Sequence, residues 1–170
     1  MLIRDADEND LPAILAIYND VIATSTAIYA DDPVTLADRK AWLEARRAQG
    51  YPVLVAEIGG EVAGFASFGD FRAWPGYRFT VEHSIHIHAD RRGQGVGKEL
   101  MLALIPRART AGKHVLIAGV DAANEASIRF HERLGFNRVA HFHEVGFKFG
   151  RWLDLVFLEL ILGPSLDETN

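Results

Sequence analysis

Apolar residues recur at helical spacing in the first third of the chain. Residues 10–23 carry Leu11, Ile14, Leu15, Tyr18, Val21 and Ile22 at helical spacing. Because these positions share one face of a helix, they predict an amphipathic helix there. A second helix is expected to begin near Thr35, which with Asp38 has the pattern of a helix N-cap. It should end at Gln49, since Gly50 follows.

Shorter apolar runs predict strands along the rest of the chain. Leu2–Arg4 is expected to form a first strand, and Val53–Ile58 and Val62–Phe68 a hairpin that turns at Gly59-Gly60. The other predicted elements are a loop at Phe71–Tyr77, a strand at Phe79–Ala89, a helix at Gly95–Ala111 closed by Gly112, a strand at His114–Val120, a helix at Asn124–Leu134, and strands at about Asn137–Phe149 and Trp152–Leu160. The order β-α-α-β-β-β-α-β-α-β-β is a mixed α/β pattern.

The composition predicts one globular domain. Apolar residues make up 49% of the 170 residues and charged residues 24%, and there is no cysteine for a disulfide, a thiolate nucleophile or a thiolate metal site. We expect one domain at residues 1–162 and a polar tail at 163–170. Apolar runs too short for a bilayer and the lack of a secretory signal pattern predict a cytoplasmic protein without a membrane partner.

The charge balance argues against a nucleic-acid partner. The formal net charge is −5 and the pI is near 5.8, whereas a nucleic-acid binder usually carries a basic face. The basic clusters Arg46-Arg47 and Arg91-Arg92 are too small for a nucleic-acid groove. A patch of this size is enough to bind the phosphates of a small cofactor.

The segment Arg91-Arg92-Gly93-Gln94-Gly95-Val96-Gly97-Lys98 follows a predicted strand and opens a predicted helix. A helix N-terminus presents unpaired backbone N–H groups and the positive end of the helix dipole. Glycines allow such a backbone to close around an anion, and a pyrophosphate is the usual ligand of this arrangement. An incidental glycine-rich turn is the alternative.

Two common nucleotide-binding patterns do not fit this segment. A Walker P-loop requires a glycine and a Ser or Thr where the chain has Arg92 and Glu99. A dinucleotide fingerprint requires a final glycine where the chain has Lys98 or Leu100, depending on the register.

A third pattern, Arg/Gln-x-x-Gly-x-Gly/Ala, is matched by Arg92, Gly95 and Gly97. It resembles the acetyl-CoA pyrophosphate loop of the GNAT superfamily of N-acetyltransferases. The segment from Asn124-Glu125-Ala126-Ser127 to Leu134-Gly135-Phe136 also resembles that superfamily, as does the first helix ahead of a glycine-turn hairpin. The resemblance covers nearly the whole chain. It implies a central, mostly antiparallel sheet flanked by helices, with acetyl-CoA as the acetyl donor and no metal.

Three further segments resemble a narrower group, the phosphinothricin and methionine sulfoximine acetyltransferases. They are the strand Thr80-Val81-Glu82-His83-Ser84, the loop Arg72-Ala73-Trp74 and the segment Phe149-Gly150-Arg151-Trp152-Leu153-Asp154, together with His131. These enzymes acetylate the α-amino group of small amino-acid analogues. The group also dimerises, and the apolar residues of the late strands, from Phe147 to Leu158, add to the expectation of a homodimer.

The resemblance implies two catalytic residues. Glu82 is expected to act as the general base, directly or through water, because an ammonium must lose a proton before it attacks a thioester. A structural salt bridge is the alternative for Glu82. His131 stands where most GNAT enzymes have tyrosine, and is a candidate to protonate the leaving thiolate. Packing against the cofactor without proton transfer is its alternative.

The binding residues are also implied by the resemblance. For acetyl-CoA they are the backbone of Ile85, His86 and Ile87, the loop residues Arg92, Gly93, Gln94, Gly95, Val96, Gly97 and Lys98, and the side chain of Asn124. For the amine substrate they are Arg72, Ala73, Trp74, Glu82, His83 and Ser84, with Arg72 as a clamp for a carboxylate. Loop residues of these types are also often plain surface.

Other functions remain open at this point. A GNAT enzyme could acetylate a polyamine, an aminoglycoside or a protein N-terminus, and a non-catalytic acetyl-CoA sensor is a further alternative. His83, His86 and His88 lie on one predicted strand, and His141 and His143 lie on another. A metal site requires three converging ligands. Although His141 and His143 share a strand face, nothing else in the sequence indicates a metal, and none is predicted.

Overall fold

The computed structural model describes residues 1–163, so the predicted tail at 163–170 lies, apart from Gly163, outside the described residues. The strands are β1 (Leu2–Asp5), β2 (Val53–Ile58), β3 (Glu61–Asp70), β4 (Thr80–Ile87), β5 (Val115–Asp121), β6 (Asn137–Lys148) and β7 (Arg151–Ile161). The helices are α1 (Leu11–Thr24), α2 (Leu36–Ala48), α3 (Val96–Thr110) and α4 (Glu125–Arg133). The predicted order of elements is confirmed.

Local sequence signals set the ends of these elements. Thr35 and Asp38 form the reciprocal capping box that starts α2. The hairpin between β2 and β3 turns at Gly59 and Gly60, both with positive φ. The predicted strand end at Phe149 is one residue too late, because Phe149 and Gly150 both take positive φ and form the turn between β6 and β7. None of the described helices is long and apolar enough to cross a membrane.

All seven strands form one sheet in the order β1-β2-β3-β4-β5-β7-β6. Every neighbouring pair is antiparallel except β4 and β5, so the expected mostly antiparallel sheet is confirmed. The parallel pairing extends only from Thr80↔Val115 to Glu82↔Ile117. Beyond Glu82, β4 pairs only with β3, and its other edge is free to face a ligand.

Helices cover both faces of the sheet. On one face Leu100 and Leu104 of α3 are fully buried in a core with Val81 of β4 and Leu116 of β5. On the other face Ile14 of α1 packs in a second cluster with α2 and with residues of β2 and β3. Alternate residues of β4 therefore face opposite helical layers.

Candidate active site

The glycine-rich segment leads into the N-terminus of α3. Gly93 and Gly95 take positive φ of 75° and 82°, and a Cβ added at either would meet open space. Gly95 is the N-cap of α3, and no side chain caps this end of the helix. The first-turn N–H groups therefore have neither a helical acceptor nor a side-chain acceptor. This combination fits a pyrophosphate.

A cleft of about 920 Å³ runs from this helix end along the free edge of β4. The predicted cofactor residues that line it are Ile85, His86, Ile87, Arg92, Gly93, Gly95, Val96, Gly97, Lys98 and Asn124. Gln94 is the exception, and its Nε2 donates to the Asp90 carbonyl at 2.9 Å. The Asn124 side chain accepts a hydrogen bond from the Ser127 N–H and so caps α4 at the edge of the cleft.

A second cavity of about 400 Å³ adjoins the first, and Glu82 lines it. The carboxylate lies over Gly119 of β5, where an added Cβ would be 2.8 Å from Oε1. Burial raises the pKa of Glu82, and no cation within residues 1–163 forms an ion pair with it. The geometry therefore gives no support to a structural salt bridge, and the raised pKa suits a general base.

His131 and His83 form a buried pair on the opposite face of β4. Their Nε2 atoms are 3.2 Å apart, and His131 Nδ1 lies 2.8 Å from the Ser127 carbonyl oxygen. Only an N–H can bond to a carbonyl, so His131 donates from Nδ1 and accepts from His83 at Nε2. His83 then carries its proton on Nε2, and its Nδ1 is unprotonated. This agrees with the surroundings of Nδ1, which is buried and has no hydrogen-bond partner in the described residues.

This arrangement bears on the two roles predicted for these histidines. Burial lowers the pKa of both rings, so both are neutral near pH 7. The one N–H of His131 is bound to Ser127, and no proton of the ring is free for a leaving group. His83, expected to contact the substrate, lines the smaller cavity but directs its Nε2 to His131. Ser84 is exposed and lines the same cavity, and its contact with the substrate stays a prediction.

The loop Arg72-Ala73-Trp74 is not brought to this cavity within the single chain. All three residues are exposed, with Trp74 at 75%, and none lines either cavity. Arg72 lies over the ring of Phe71 at 5.2 Å. The chain itself therefore does not assemble these residues with Glu82.

Two arginines that the sequence analysis missed line the smaller cavity. Arg39 and Arg46 project from α2, and the Nε of each is buried without a hydrogen-bond partner. Burial lowers the pKa of both guanidinium groups. Gly69 of β3 has no side chain where the Arg46 guanidinium lies. The sequence did contain a signal for these two arginines. Residues seven apart on a helix share a face, and the face with Arg39 and Arg46 also carries the buried Leu43.

The segment after α1 forms one wall of the cavity through Ala27 and Ile28. Lys148 of β6 connects the last turn of α1 to this segment, since its Nζ donates to the carbonyl of Ile22 in α1 and to those of Ser25 and Ile28 after it, at 2.7, 2.8 and 2.7 Å. These three bonds use all three protons of the ammonium.

Two further contacts fix the same wall. Thr26 Oγ1 donates to the buried Asp121 carboxylate at the end of β5. The ring of Tyr29 lies against Gly146 of β6, where a side chain would collide with it. The wall is therefore tied to β5 and β6, the strands beyond the cleft.

Several known proteins that are similar to this chain in sequence and fold are acetyltransferases. The sequence profile of the acetyltransferase (GNAT) family matches residues 14–136. The L-methionine sulfoximine/L-methionine sulfone acetyltransferase of Pseudomonas paraeruginosa is 54% identical over 164 residues, which cover 96% of this chain and 95% of that protein. An acetyltransferase of Salmonella typhimurium, solved with its cofactor acetyl-CoA, is similar with a TM-score of 0.95 and 49% identity over 97% of this chain and 95% of that one. A GNAT superfamily phosphinothricin acetyltransferase of Sinorhizobium meliloti, in complex with acetyl-CoA, has a TM-score of 0.94 and 35% identity over 98% of this chain and 90% of that one.

Proposed function

The chain belongs to the GNAT acetyltransferase family, and we propose that it transfers acetyl from acetyl-CoA to the α-amino group of a small amino acid or analogue. The acceptors we propose are of the methionine sulfoximine, methionine sulfone or phosphinothricin type, after the names of the relatives. The observation that carries the proposal is an unpaired, half-buried Glu82 at the point where β4 and β5 separate and the two cavities adjoin.

The larger cleft fits the donor. The pyrophosphate would be held by the uncapped N-terminus of α3 and by the glycines with positive φ before it. The pantetheine arm would lie along the free backbone edge of Ile85–Ile87, next to Asn124. Acetyl-CoA supplies a thioester whose carbonyl carbon the amine attacks, with release of the CoA thiol.

The smaller cavity fits the acceptor. Glu82 takes the proton of the substrate ammonium, and its raised pKa brings its basicity closer to that of the amine. Arg39 and Arg46 offer two guanidinium groups without carboxylate partners, which suit the α-carboxylate and a polar oxo group of the side chain. Arg72, Ala73 and Trp74 would contact the substrate only if a second copy of the chain, or a movement of the loop, brought them there.

The resemblance implied that His131 protonates the leaving CoA thiolate, but the hydrogen bonds of His131 favour a different proton donor. His131 already donates its N–H to Ser127, and burial opposes a second proton on the ring. We therefore assign His131 a positioning role, in which it holds α4 against β4 through His83. Water in the open cleft is then the proton donor for the thiolate.

The charges around the acceptor cavity separate the other candidate functions. Polyamines and aminoglycosides carry several cationic amines and would require several free carboxylates. In this cavity the guanidinium groups of Arg39 and Arg46 lie beside the carboxylates of Glu82 and Asp121, and Asp121 already accepts a hydrogen bond from Thr26. A non-catalytic acetyl-CoA sensor has no use for a desolvated carboxylate beside the donor cleft. Both observations favour an enzyme for small amino acids that carry a carboxylate.

We also propose a homodimer in the cytoplasm. Exposed apolar side chains gather on β6, β7 and their turn: Val139, Phe142, Val145, Phe147, Phe149 and Trp152. Such a patch is typical of a protein interface. The cytoplasmic location is supported by the donor, which is a metabolite of the cell interior. Light scattering at micromolar concentration tests the dimer, and a monomeric mass would contradict it.

The proposed function is tested by measuring the turnover of wild type and Glu82→Gln with acetyl-CoA and a panel of amines. The release of the CoA thiol is the readout. Methionine sulfoximine, methionine sulfone and phosphinothricin should be acetylated, and polyamines should not. Glu82→Gln keeps the shape and should lower kcat by about 10²–10⁴-fold. Its defect should shrink as the pH rises, because the amine then arrives without its proton.

Two comparisons make this test specific to the base. The affinity for acetyl-CoA should be unchanged in Glu82→Gln, because backbone groups hold the donor. The control variant Glu44→Gln, at an exposed residue of α2, should have wild-type kcat. Wild-type turnover by Glu82→Gln at pH 7 would remove Glu82 from the mechanism, and a wild-type enzyme inactive on every amino acid of the panel would overturn the proposed acceptor.

A further inference from the structure

A second group of chemically active side chains lies on the β6–β7 hairpin, where it lines neither cavity. His141 and His143 of β6 stack with ring centroids 4.4 Å apart and 32° between the planes. Both rings face Asp154 of β7, with His141 Nε2 at 2.9 Å and His143 Nδ1 at 3.0 Å from Oδ2. The ligand atoms of the three residues all lie within 4.8 Å of one another.

An irregularity in β6 produces this convergence. The pairing with β7 shifts between Phe142 and Gly146, and Glu144 within that bulge takes a φ of 53°. The Glu144 N–H donates to Asp154 Oδ1 at 2.9 Å. This bond orients the carboxylate, so Oδ2 is presented to the two imidazoles. The cluster is thus held in place by backbone geometry as well as by its own hydrogen bonds.

We propose that His141, His143 and Asp154 form a binding site for a divalent transition-metal ion of the zinc type, with its remaining positions open to water. Two imidazole nitrogens and one carboxylate oxygen are a donor set that suits Zn²⁺, Ni²⁺ and Cu²⁺. Tetrahedral ligands at about 2.0–2.2 Å from one ion lie about 3.3–3.6 Å apart. The two N–O separations of 2.9 and 3.0 Å are shorter than this, so the side chains would move apart by roughly 0.5 Å to admit an ion in place of the shared hydrogen bonds.

The surroundings favour a cation. In the described part of the chain no lysine or arginine pairs with Asp154, and His141 and His143 are its only partners among the basic side chains. His143 is 76% exposed, which leaves the site open to ions from solvent.

The role that follows is structural. The Asp154 backbone carbonyl accepts hydrogen bonds from Tyr29 Oη at 3.3 Å and from the Ala122 N–H at 2.9 Å. An ion on the Asp154 side chain would join β6 to β7 at the point where β7 also supports the segment after α1. The proposed acetyl transfer requires no metal, so the ion should raise the melting temperature without being needed for turnover.

The test uses protein without a histidine tag, stripped with a chelator. Zn²⁺ affinity is measured by competition with a chromophoric chelator, and Co²⁺ provides an absorption spectrum of the bound ion. We expect one ion per chain and at least tenfold weaker binding in His143→Ala and in His141→Ala. The matched control is His88→Ala, an exposed histidine elsewhere, which should bind like wild type.

Asp154→Asn should also lose Zn²⁺ affinity, but it also disturbs the hydrogen bond from the Glu144 N–H. Its result is therefore interpreted together with that of His143→Ala, which removes an exposed side chain and should leave the fold intact. Loss of Zn²⁺ affinity in His143→Ala with wild-type acetylation supports the proposal. Equal Zn²⁺ affinity in wild type, His143→Ala and the double variant His141→Ala/His143→Ala would overturn it, as would a wild type that binds no ion.

Discussion

Replacing Lys148 with methionine should loosen the wall of the acceptor cavity. Lys148 is 1% exposed, and within residues 1–163 its ammonium donates to the carbonyls of Ile22, Ser25 and Ile28 and lies 4.9 Å from the centre of the Phe149 ring. Methionine keeps a stem of similar length and polarisable bulk, so the change creates little cavity. What it removes is the charge and three charge-assisted hydrogen bonds.

The expected loss of stability follows from where the three carbonyls lie. Ile22 is buried, and an acceptor that loses its partner without reaching water costs about 1–3 kcal/mol. Ser25 and Ile28 are half-buried, and their carbonyls can regain water if the segment moves outward. The ammonium is desolvated in the native state, which offsets part of its gain. We therefore expect the free energy of unfolding to fall by about 2–4 kcal/mol.

The outward movement gives the variant a functional signature. Ala27 and Ile28 line the acceptor cavity, so the KM for the amine should rise on the order of tenfold or more. The affinity for CoA should change less, because the glycine loop and the α3 N-terminus lie away from Lys148. A defect of stability alone would leave the amine KM of the folded fraction unchanged.

Urea unfolding and steady-state kinetics with both substrates varied measure these effects. Lys40→Met is the matched control, because Lys40 is exposed on α2 and its ion pair with Glu8 spans 3.3 Å at the surface. That variant should lie within about 0.5 kcal/mol of wild type. The reasoning fails if Lys148→Met is as stable as Lys40→Met, or if its amine KM stays at the wild-type value while its CoA affinity falls.

Three further substitutions test separate parts of the structure. Gly119→Ala places a Cβ 2.8 Å from Glu82 Oε1, so kcat should fall more than tenfold while calorimetric CoA affinity persists; an unchanged kcat would contradict the assigned position of the base. Gly95→Val forces a branched residue to a φ of 82°, which costs about 1–2 kcal/mol and should weaken CoA binding far more than folding; equal CoA affinity refutes the loop assignment. Arg4 lowers the pKa of Asp10, so the stability Asp10 adds is present above its unfolded pKa of about 3.9 and is lost as the pH falls through the lower folded value. Asp10→Asn should therefore be less stable than wild type at pH 7, and this difference should shrink below pH 4 in urea melts; a difference independent of pH would exclude the ionic contribution.

The order of elements could be predicted from the sequence because its signals are local. The spacing of Ile14 and its neighbours, the capping pair Thr35 and Asp38, and the glycine turn at 59–60 each act within a few residues. Boundaries were less certain where a turn uses an ordinary residue. Phe149 has β-strand propensity but takes positive φ beside Gly150, so the predicted strand was one residue too long.

The site was only partly predictable because much of it depends on contacts distant in sequence. The glycine-rich turn at the N-terminus of α3 could be predicted, since its glycines and the following helix are contiguous. Lys148 could not, because its three acceptors lie 120 to 126 residues away in the chain. The same holds for Asp154 opposite His141 and His143, where a bulge brings two strands together. Arg39 and Arg46 carried a signal in their helical spacing, but the cavity they face is formed by β3, β4 and β5.

The short parallel pairing of β4 with β5 explains why both substrate sites arise in one place. A longer pairing would satisfy the backbone of Ile85–Ile87 and close the donor cleft, whereas no pairing would leave Glu82 without Gly119 beneath it. Because the pairing stops at Glu82, Gly119 lies beneath the Glu82 carboxylate, and the backbone edge of Ile85–Ile87 stays unpaired with β5. In the proposed mechanism the donor reaches Glu82 along β4 from the α3 end, and the acceptor reaches it from the α2 side, where Arg39 and Arg46 line the cavity. The proposed reaction would then take place at the residue where the pairing of β4 with β5 ends.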